Sequence, residues 1–358
     1  MEHPSRVGKY EIEQFLGGGM SHVYRAKDMV LGRRVALKIL TETALGDAES
    51  KARFLQEARM ASNIKHENII AVYDFGEEQG RPFIVMEFLE GESLREAIKK
   101  GDTGDFTSRM QIALQVARAL DYIHSKKIIH RDIKPENIHI DATGKVKLMD
   151  FGIAKSEGVQ LTRAGFTLGT PYYMAPEQVL GQQLTPQADV YAFGVLLYEI
   201  LTGAKPISGD TVERIFNQIL YEPFNLEPLK VLKLPPAIGP LIARCTAKQP
   251  AQRPQGLGAV CEEIEQILDP SRQGSAKPRP AAAARAATAA RPPAVSKPAR
   301  PAAEPEAQEP VPLEGLPKFV QKLPALFRTQ GGLMLLAGIS VVIGMTLVYV
   351  VLTLAHVI

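Results

Sequence analysis

The stretch "FLGGGMSHVY", residues 15–24, places three consecutive glycines between a strand-like "YEIEQFL" and a strand-like "VYRAKD". Glycine accepts positive φ readily and lets a backbone approach another group closely, and successive backbone N–H groups in such a turn can cradle phosphate. Counted back from Val23, the spacing G-x-G-x-x-G-x-V finds glycine only at Gly18, with Leu16 and Ser21 in the other two places. Counted from the upstream strand, Gly17 is the first glycine and the hairpin tip is one residue short. We favour the short tip, because side chains alternate faces along a strand and a deletion inside either strand would flip its core set. Further along, Lys38 sits near the end of "VALKIL", and Glu57 lies in "ARFLQEARMASNI" with apolar residues at helical spacing. Then come "HRDIKPEN" (130–137), "DFG" (150–152) and "APE" (175–177). Taken singly, a lysine on a strand is a solvated charge and a glutamate on a helix is a surface residue.

In this order and spacing the motifs resemble the protein kinase family, in particular the eukaryotic-like serine/threonine kinases of bacteria, from about Tyr10 to Leu268. The resemblance implies an α+β, two-lobed kinase fold. A small antiparallel-sheet N-lobe with one main helix would span about 10–88, and a larger helical C-lobe about 89–268. It also implies ATP and Mg2+ or Mn2+ as cofactors. Lys38 would then meet the α/β-phosphates and Glu57 would orient it by an ion pair. Asp132 would accept the proton of the substrate hydroxyl, Lys134 would steady the transferred phosphate, and Asn137 and Asp150 would hold the metal. The nucleotide would be bounded by Leu16, Gly17, Gly18, Gly19, Met20, Ser21, Val23, Ala36, Met86 and Ser93, with the hinge backbone at Glu87–Leu89 on the base edge. His139 stands where relatives carry an aliphatic floor under the base; a ring can stack there, and its protonation would weaken nucleotide affinity in acid.

Lys134 together with "GTPYYMAPE" is the serine/threonine pattern, so the resemblance implies an alcohol acceptor, with Thr170 helping to form its pocket. Asp189 would tie to the catalytic-loop backbone and Glu177 would pair with Arg253. Arg131 precedes Asp132, the arrangement of kinases whose activation loop is ordered by phosphate–Arg pairing. Thr162 is the first candidate for autophosphorylation and Thr167 the second. Glu136 hints at a basic residue before the acceptor. A pseudokinase scaffold with a decayed glycine loop is the alternative reading, although it would keep Lys38, Asp132, Asn137 and Asp150 without use.

Composition divides the chain. Residues 1–9 read as a lead-in without the apolar core of a signal peptide. Residues 269–330 read as a linker and juxtamembrane segment: from Pro270 to about Glu309 the sequence is rich in Ala, Pro and Arg and is expected to be disordered, and "LPKFVQKLPALF" beyond it mixes bulky apolar residues with Lys as an interfacial segment does. Residues 270–330 carry ten Lys/Arg against four Glu, so the remainder of this +3 chain is −3 and offers no basic face to nucleic acid. Residues 331–358 contain no Lys, Arg, Asp or Glu, and this stretch exceeds the roughly 20 residues that cross a bilayer as a helix. Lys318, Lys322 and Arg328 precede it, which puts the kinase domain on the cytoplasmic face. The expected partners are protein substrates with Ser/Thr acceptors, membrane lipid through that helix, and a second copy for trans-autophosphorylation, although "GISVVIG" (338–344) lacks a G-x-x-x-G dimer motif. Cys245 and Cys261, the two cysteines, read as buried thiols and not as a disulfide framework.

Overall fold

The computed structural model describes residues 4–150 and 171–271. Phe151, Gly152, Thr162, Thr167, Thr170, most of the Ala/Pro/Arg-rich stretch and the apolar segment 331–358 lie outside the described residues. The small lobe is an antiparallel sheet of order β1-β2-β3-β4-β6-β5, made of Arg6–Val7 (β1), Tyr10–Gly18 (β2), Ser21–Asp28 (β3), Arg34–Leu40 (β4), Val72–Glu78 (β5) and Arg81–Glu87 (β6). Strand β4 reads "RVALKIL", and its period of two sends Val35, Leu37 and Ile39 to one face. There they close on Val7, Tyr10, Tyr24, Ala26, Phe83 and Val85. The opposite face carries Lys38 across from Val23, and Ala36 across from Met86.

Onto that second face packs helix α2 (Ala48–Ser62), which follows the short α1 (Glu42–Leu45). Helix α2 starts at Asp47, whose carboxylate accepts the N–H groups of Glu49 and Ser50 and so satisfies two orphan donors of the first turn. Its Phe54 and Ala58 pack with Leu40, Ala44 and Ile84. This packing carries Glu57 to the face of the sheet that presents Lys38.

Two features depart from the sequence reading. The sheet begins before Tyr10: Arg6 and Val7 pair with Glu11 and Tyr10, so part of the 1–9 lead-in belongs to the small lobe. Burying Val7 against the sheet accounts for this, since an exposed valine would gain nothing from pairing. Strand β2 also breaks strict alternation, with register shifts between Ile12 and Gln14 and between Phe15 and Gly17. Bulges at Glu13 and Leu16 absorb an extra residue each without flipping the rest of the strand.

The large lobe contains α3 (Leu94–Lys100) and α4 (Phe106–Ser125), then α5 (Pro176–Val179), α6 (Gln187–Thr202), α7 (Val212–Tyr221), α8 (Glu227–Val231), α9 (Ile238–Cys245) and α10 (Leu257–Leu268). A small sheet of order β7-β8-β9 joins Glu92–Ser93 (β7), Ile138–Ile140 (β8) and Val146–Leu148 (β9). Helix α6 is buried from Ala188 to Leu201, as a helix apolar on nearly every side must be. A Cβ on its Gly194 would come within 2.7 Å of Cys245 and Thr246, so this glycine lets α9 approach closely. The lobes are stitched by Leu148 N–H to Asn68 O (2.8 Å), Ile70 N–H to Leu148 O (3.0 Å) and the Lys147–Glu87 ion pair (2.8 Å). Among the described residues no helix is long and apolar enough to cross a membrane.

Candidate active site

Lys38 Nζ donates to Glu57 Oε1 at 3.0 Å and to Asp150 Oδ1 at 2.7 Å. One ammonium thus links the sheet and the helix of the small lobe to the end of the segment leaving β9. Burial opposes the Lys38 charge, but the two carboxylates outweigh it and hold its pKa above the ordinary lysine value. The same lysine keeps Asp150 below the usual carboxylate range, whereas burial pushes Glu57 above it. Asp150 is half exposed and Glu57 is not. The anion that can turn toward a metal is therefore Asp150, while Glu57 stays behind to position the lysine.

The loop that follows α4 brings the second group together. Lys134 Nζ lies 2.9 Å from Asp132 Oδ2. Asn137 is buried, and its Nδ2 donates to Asp132 O at 2.8 Å and to Asp132 Oδ2 at 3.0 Å. With its nitrogen so committed, Asn137 has its amide oxygen left to offer a cation. One carboxylate from Asp150 and one amide oxygen from Asn137 suit Mg2+, which keeps several waters and completes its shell with substrate phosphate. Consistent with that sparse donor set, no cage of three or more His, Cys, Asp or Glu occurs among the described residues.

Two strained residues flank this chemistry. Arg131 has φ +67° and Asp150 has φ +47°, left-handed conformations that cost a non-glycine residue about 1–3 kcal/mol unless the surroundings impose them. Buried Asp189 supplies the constraint at Arg131. Its Oδ1 accepts Arg131 N–H at 2.9 Å, and its Oδ2 accepts His130 N–H and His124 Nε2–H, both at 2.7 Å. His130, fully buried, donates from Nε2 to Met149 O at 3.1 Å and accepts Asp132 N–H on Nδ1 at 3.4 Å. That arrangement is a neutral imidazole, and burial holds its pKa below the usual histidine value. Met149 N–H in turn donates to Asn137 O at 2.8 Å, so the two acidic stretches are laced edge to edge.

Above the cleft, Gly17 stands opposite Val23 and Gly18 opposite His22. Gly17 and Gly18 have φ of +127° and +140°, and a Cβ on Gly18 would lie 1.9 Å from Ser21 O. Gly19 has open space on the side where a Cβ would stand. Exposed Met20 gives its carbonyl oxygen to Thr41 N–H (3.1 Å) and Thr41 Oγ1–H (3.0 Å), which ties the tip to the end of β4. Ala36, Ile70 and Met86 form an apolar patch with Leu89 and Met149 packed against it. Such an apolar surface suits the face of a flat base. At the edge, the Glu87 N–H is committed to Ala71 O at 2.8 Å. Ser93 caps α3 by accepting Glu96 N–H. His139 pairs with Lys147 across β8–β9 and so shares the face that carries Lys147 to Glu87, and burial lowers its pKa.

Glu177 and Arg253 form a doubly bonded pair at 2.6 and 2.8 Å, both buried. Several contributors escaped the sequence reading. His124 is the third donor to Asp189, Thr41 is the tie on the glycine tip, and Lys147 anchors Glu87. Arg95, in the first turn of α3, belongs to none of the motifs read in the sequence, yet it bonds Glu136, Glu199 and Tyr173.

Residues 10–268 match the protein kinase domain model, and the chain belongs to that family. It is 39% identical over 286 residues to the serine/threonine-protein kinase pkn3 of Myxococcus xanthus, covering 76% of this chain and 52% of that protein. It is 37% identical over 280 residues to the serine/threonine-protein kinase PknA of Mycobacterium tuberculosis, covering 76% and 63%. With the serine/threonine-protein kinase PrkC of Bacillus subtilis the identity is 36% over 267 residues, covering 74% and 41%. The chain thus spans between two fifths and two thirds of the length of these curated relatives.

Proposed function

We propose that this chain is a serine/threonine protein kinase that transfers the γ-phosphoryl group of ATP to protein hydroxyls. The observation that carries the proposal is the joined pair of clusters, Lys38 between Glu57 and Asp150, and Asp132 between Lys134 and Asn137. Phosphoryl transfer asks little covalent chemistry of the protein and much positioning and charge neutralisation. Lys38, kept charged and aimed by Glu57, meets the phosphates of the donor. Asp132 orients the acceptor hydroxyl and takes its proton, and Lys134 offsets the charge that moves with the phosphoryl group. Asn137 and Asp150 hold Mg2+ or Mn2+, which when bound neutralises the phosphate oxygens. Val23, Ala36, Met86, Leu89 and His139 enclose the base, and backbone N–H groups of Gly17–Ser21 cover the phosphates.

The reading extends to control and location. Thr162 is the autophosphorylation site, with Thr167 second, the phosphate pairs with Arg131, and Thr170 borders the acceptor pocket. Residues 331–358 tether the kinase domain to the cytoplasmic face of a membrane. What supports the tether is an uncharged run of the length a bilayer requires, with Lys318, Lys322 and Arg328 on one side only. The test is single-turnover labelling with radioactive Mg·ATP and a generic protein substrate, followed by phosphopeptide mapping. Transfer no greater than that of the Lys38→Ala form would refute the enzyme. Label confined to the linker Ser/Thr residues would refute Thr162. Extraction of the full-length chain by carbonate wash would refute the tether.

A further inference from the structure

Glu136 sits in the turn between Lys134 and Asn137, four residues from Asp132. A bare carboxylate there would draw basic residues of a substrate, which is the hint its sequence position gives. It is not bare. Arg95 donates from Nε to Glu136 Oε1 at 2.8 Å, from Nη1 to Glu199 Oε1 at 2.6 Å and from Nη2 to Tyr173 OH at 2.6 Å. Tyr173 OH completes the ring by donating to Glu199 Oε2. Every nitrogen of the guanidinium is committed, and the Arg95 side chain is 12% exposed, against 2% for Glu199 and 41% for Glu136.

A second cation closes the cluster. Lys205 Nζ lies 3.9 Å from Glu199 Oε1 and 4.8 Å from the Tyr172 ring centroid. Two carboxylates therefore face two cations, and the wall is electrically balanced. Its place matters as much as its charge. Tyr172 and Tyr173 form the turn that directly follows Thr170, and Glu136 belongs to the loop of Asp132. On the phosphoryl-transfer reading, the wall therefore adjoins in the chain both residues assigned to the acceptor hydroxyl, Asp132 and Thr170.

We propose that Arg95 is an internal stand-in for a basic substrate residue, occupying Glu136 and Glu199 so that the enzyme takes acceptor segments without arginine beside the hydroxyl. The inference rests on the phosphoryl-transfer reading for its consequence, but not for the contact itself. An arginine from a substrate would have to displace three charge-assisted or buried bonds that Arg95 makes at no cost in association entropy. Removing Arg95 frees a half-exposed carboxylate in the loop of Asp132.

The experiment uses the full-length chain and two serine peptides that differ only in arginine or alanine at the second and third positions before the serine. Both kcat/KM and peptide affinity in the presence of a non-hydrolysable ATP analogue are measured. Wild type should treat the peptides within about twofold, and Arg95→Ala should favour the arginine peptide by on the order of tenfold in both readouts while keeping its rate on the alanine peptide. Glu136→Gln should leave the wild-type ratio unchanged. Arg95→Ala strips a partner from buried Glu199, so Arg95→Ala/Glu199→Gln repeats the test, with Glu136 as the freed carboxylate. The proposal is overturned by a wild-type preference for arginine that Glu136→Gln abolishes, or by a folded Arg95 variant indifferent to arginine. The predicted affinity ratios without any turnover would refute the enzyme reading and leave the role of Arg95 standing.

Discussion

Asp189→Asn perturbs the loop of Asp132 from a residue that is not among those proposed to hold the nucleotide. One carboxylate oxygen accepts two hydrogens, from His124 Nε2 and His130 N, and the other accepts Arg131 N–H. An asparagine has one accepting oxygen. Its best orientation keeps that oxygen on the two 2.7 Å donors and turns its NH2 toward Arg131 N–H, leaving a donor against a donor. An unsatisfied buried polar group costs about 1–3 kcal/mol. The left-handed strain at Arg131 is already carried by the wild type, so it adds nothing to this cost, but it loses the bond that imposed it. The net loss is therefore about 1–3 kcal/mol, part of which is recovered when the Arg131–Asp132 peptide relaxes. A shift of about 1 Å in Asp132 would lower turnover on the order of 100-fold. Because Asp189 bonds the loop of Asp132 and not the Lys38 cluster, KM for ATP should change little. The assay pairs a thermal melt with kinetics in which ATP and peptide are varied separately. At about 2–4 °C per kcal/mol for a domain near this size, the melt should fall by roughly 2–12 °C. A variant that melts with wild type and turns over within threefold would refute the claim that Asp189 holds the strained loop.

The glycine tip separates structural from ligand demands. Gly18→Ala, with Ser21 O in the way, should destabilise the hairpin. Gly19→Ala meets nothing within 4 Å and should shift the melt by no more than about 1 °C, yet raise KM for ATP on the order of tenfold if phosphate approaches that backbone closely; an unchanged KM would remove the tip from the site. Cys245 and Cys261 are buried and their thiols are pushed up to about 12, so neither should react with a thiol reagent at neutral pH until the chain unfolds. Labelling of the native protein within minutes would contradict this. Lys248 is half-buried against Phe224 and donates to the carbonyls of Gln218 and Ile219 at the end of α7, and burial lowers it to about 8. Its charged form is thus disfavoured by folding, and stability from this group rises as pH climbs from 8 toward the ordinary lysine value. Melts of wild type minus Lys248→Met should therefore increase between about pH 8 and 10; a flat or falling difference overturns the assignment.

What the sequence made legible follows from how local each signal is. Alternation along "RVALKIL" sets Lys38 on the face opposite Val35 and Leu37, because strand period needs no knowledge of partners. The run "ADVYAFGVLLYEIL", apolar but for Asp189, Glu199 and its tyrosine hydroxyls, likewise marks α6 as a buried helix of the large lobe. The bulges at Glu13 and Leu16 were not legible, since register is a property of two strands. Neither was the fate of Glu136, whose partner lies 41 residues earlier in the chain. Arg95 shows why. Its helix "LREAIKK" contains two basic residues in the last turn that do sit in solvent, and nothing in the pattern separates the first-turn arginine from them.

The two left-handed residues extend that point to function. Arg131 directly precedes Asp132, the proposed base, and Asp150 is itself the carboxylate beside Lys38. Arg131 has no local reason to hold its angle, and both residues are bonded from elsewhere: Asp189 on α6 accepts the Arg131 N–H, and Lys38 on β4 holds the Asp150 carboxylate. The strain is thereby made conditional on the two lobes and α6 being assembled. A chain that retained all the motif residues but loosened α6 would let Arg131 relax and move Asp132, which ties activity to the core of the large lobe. Substitutions at Gly194 should therefore lower turnover at a site remote from every reacting atom, through α6 and Asp189. If Gly194→Val stayed folded with full turnover and an unshifted melt, the coupling between that core and the catalytic loop would be disproved.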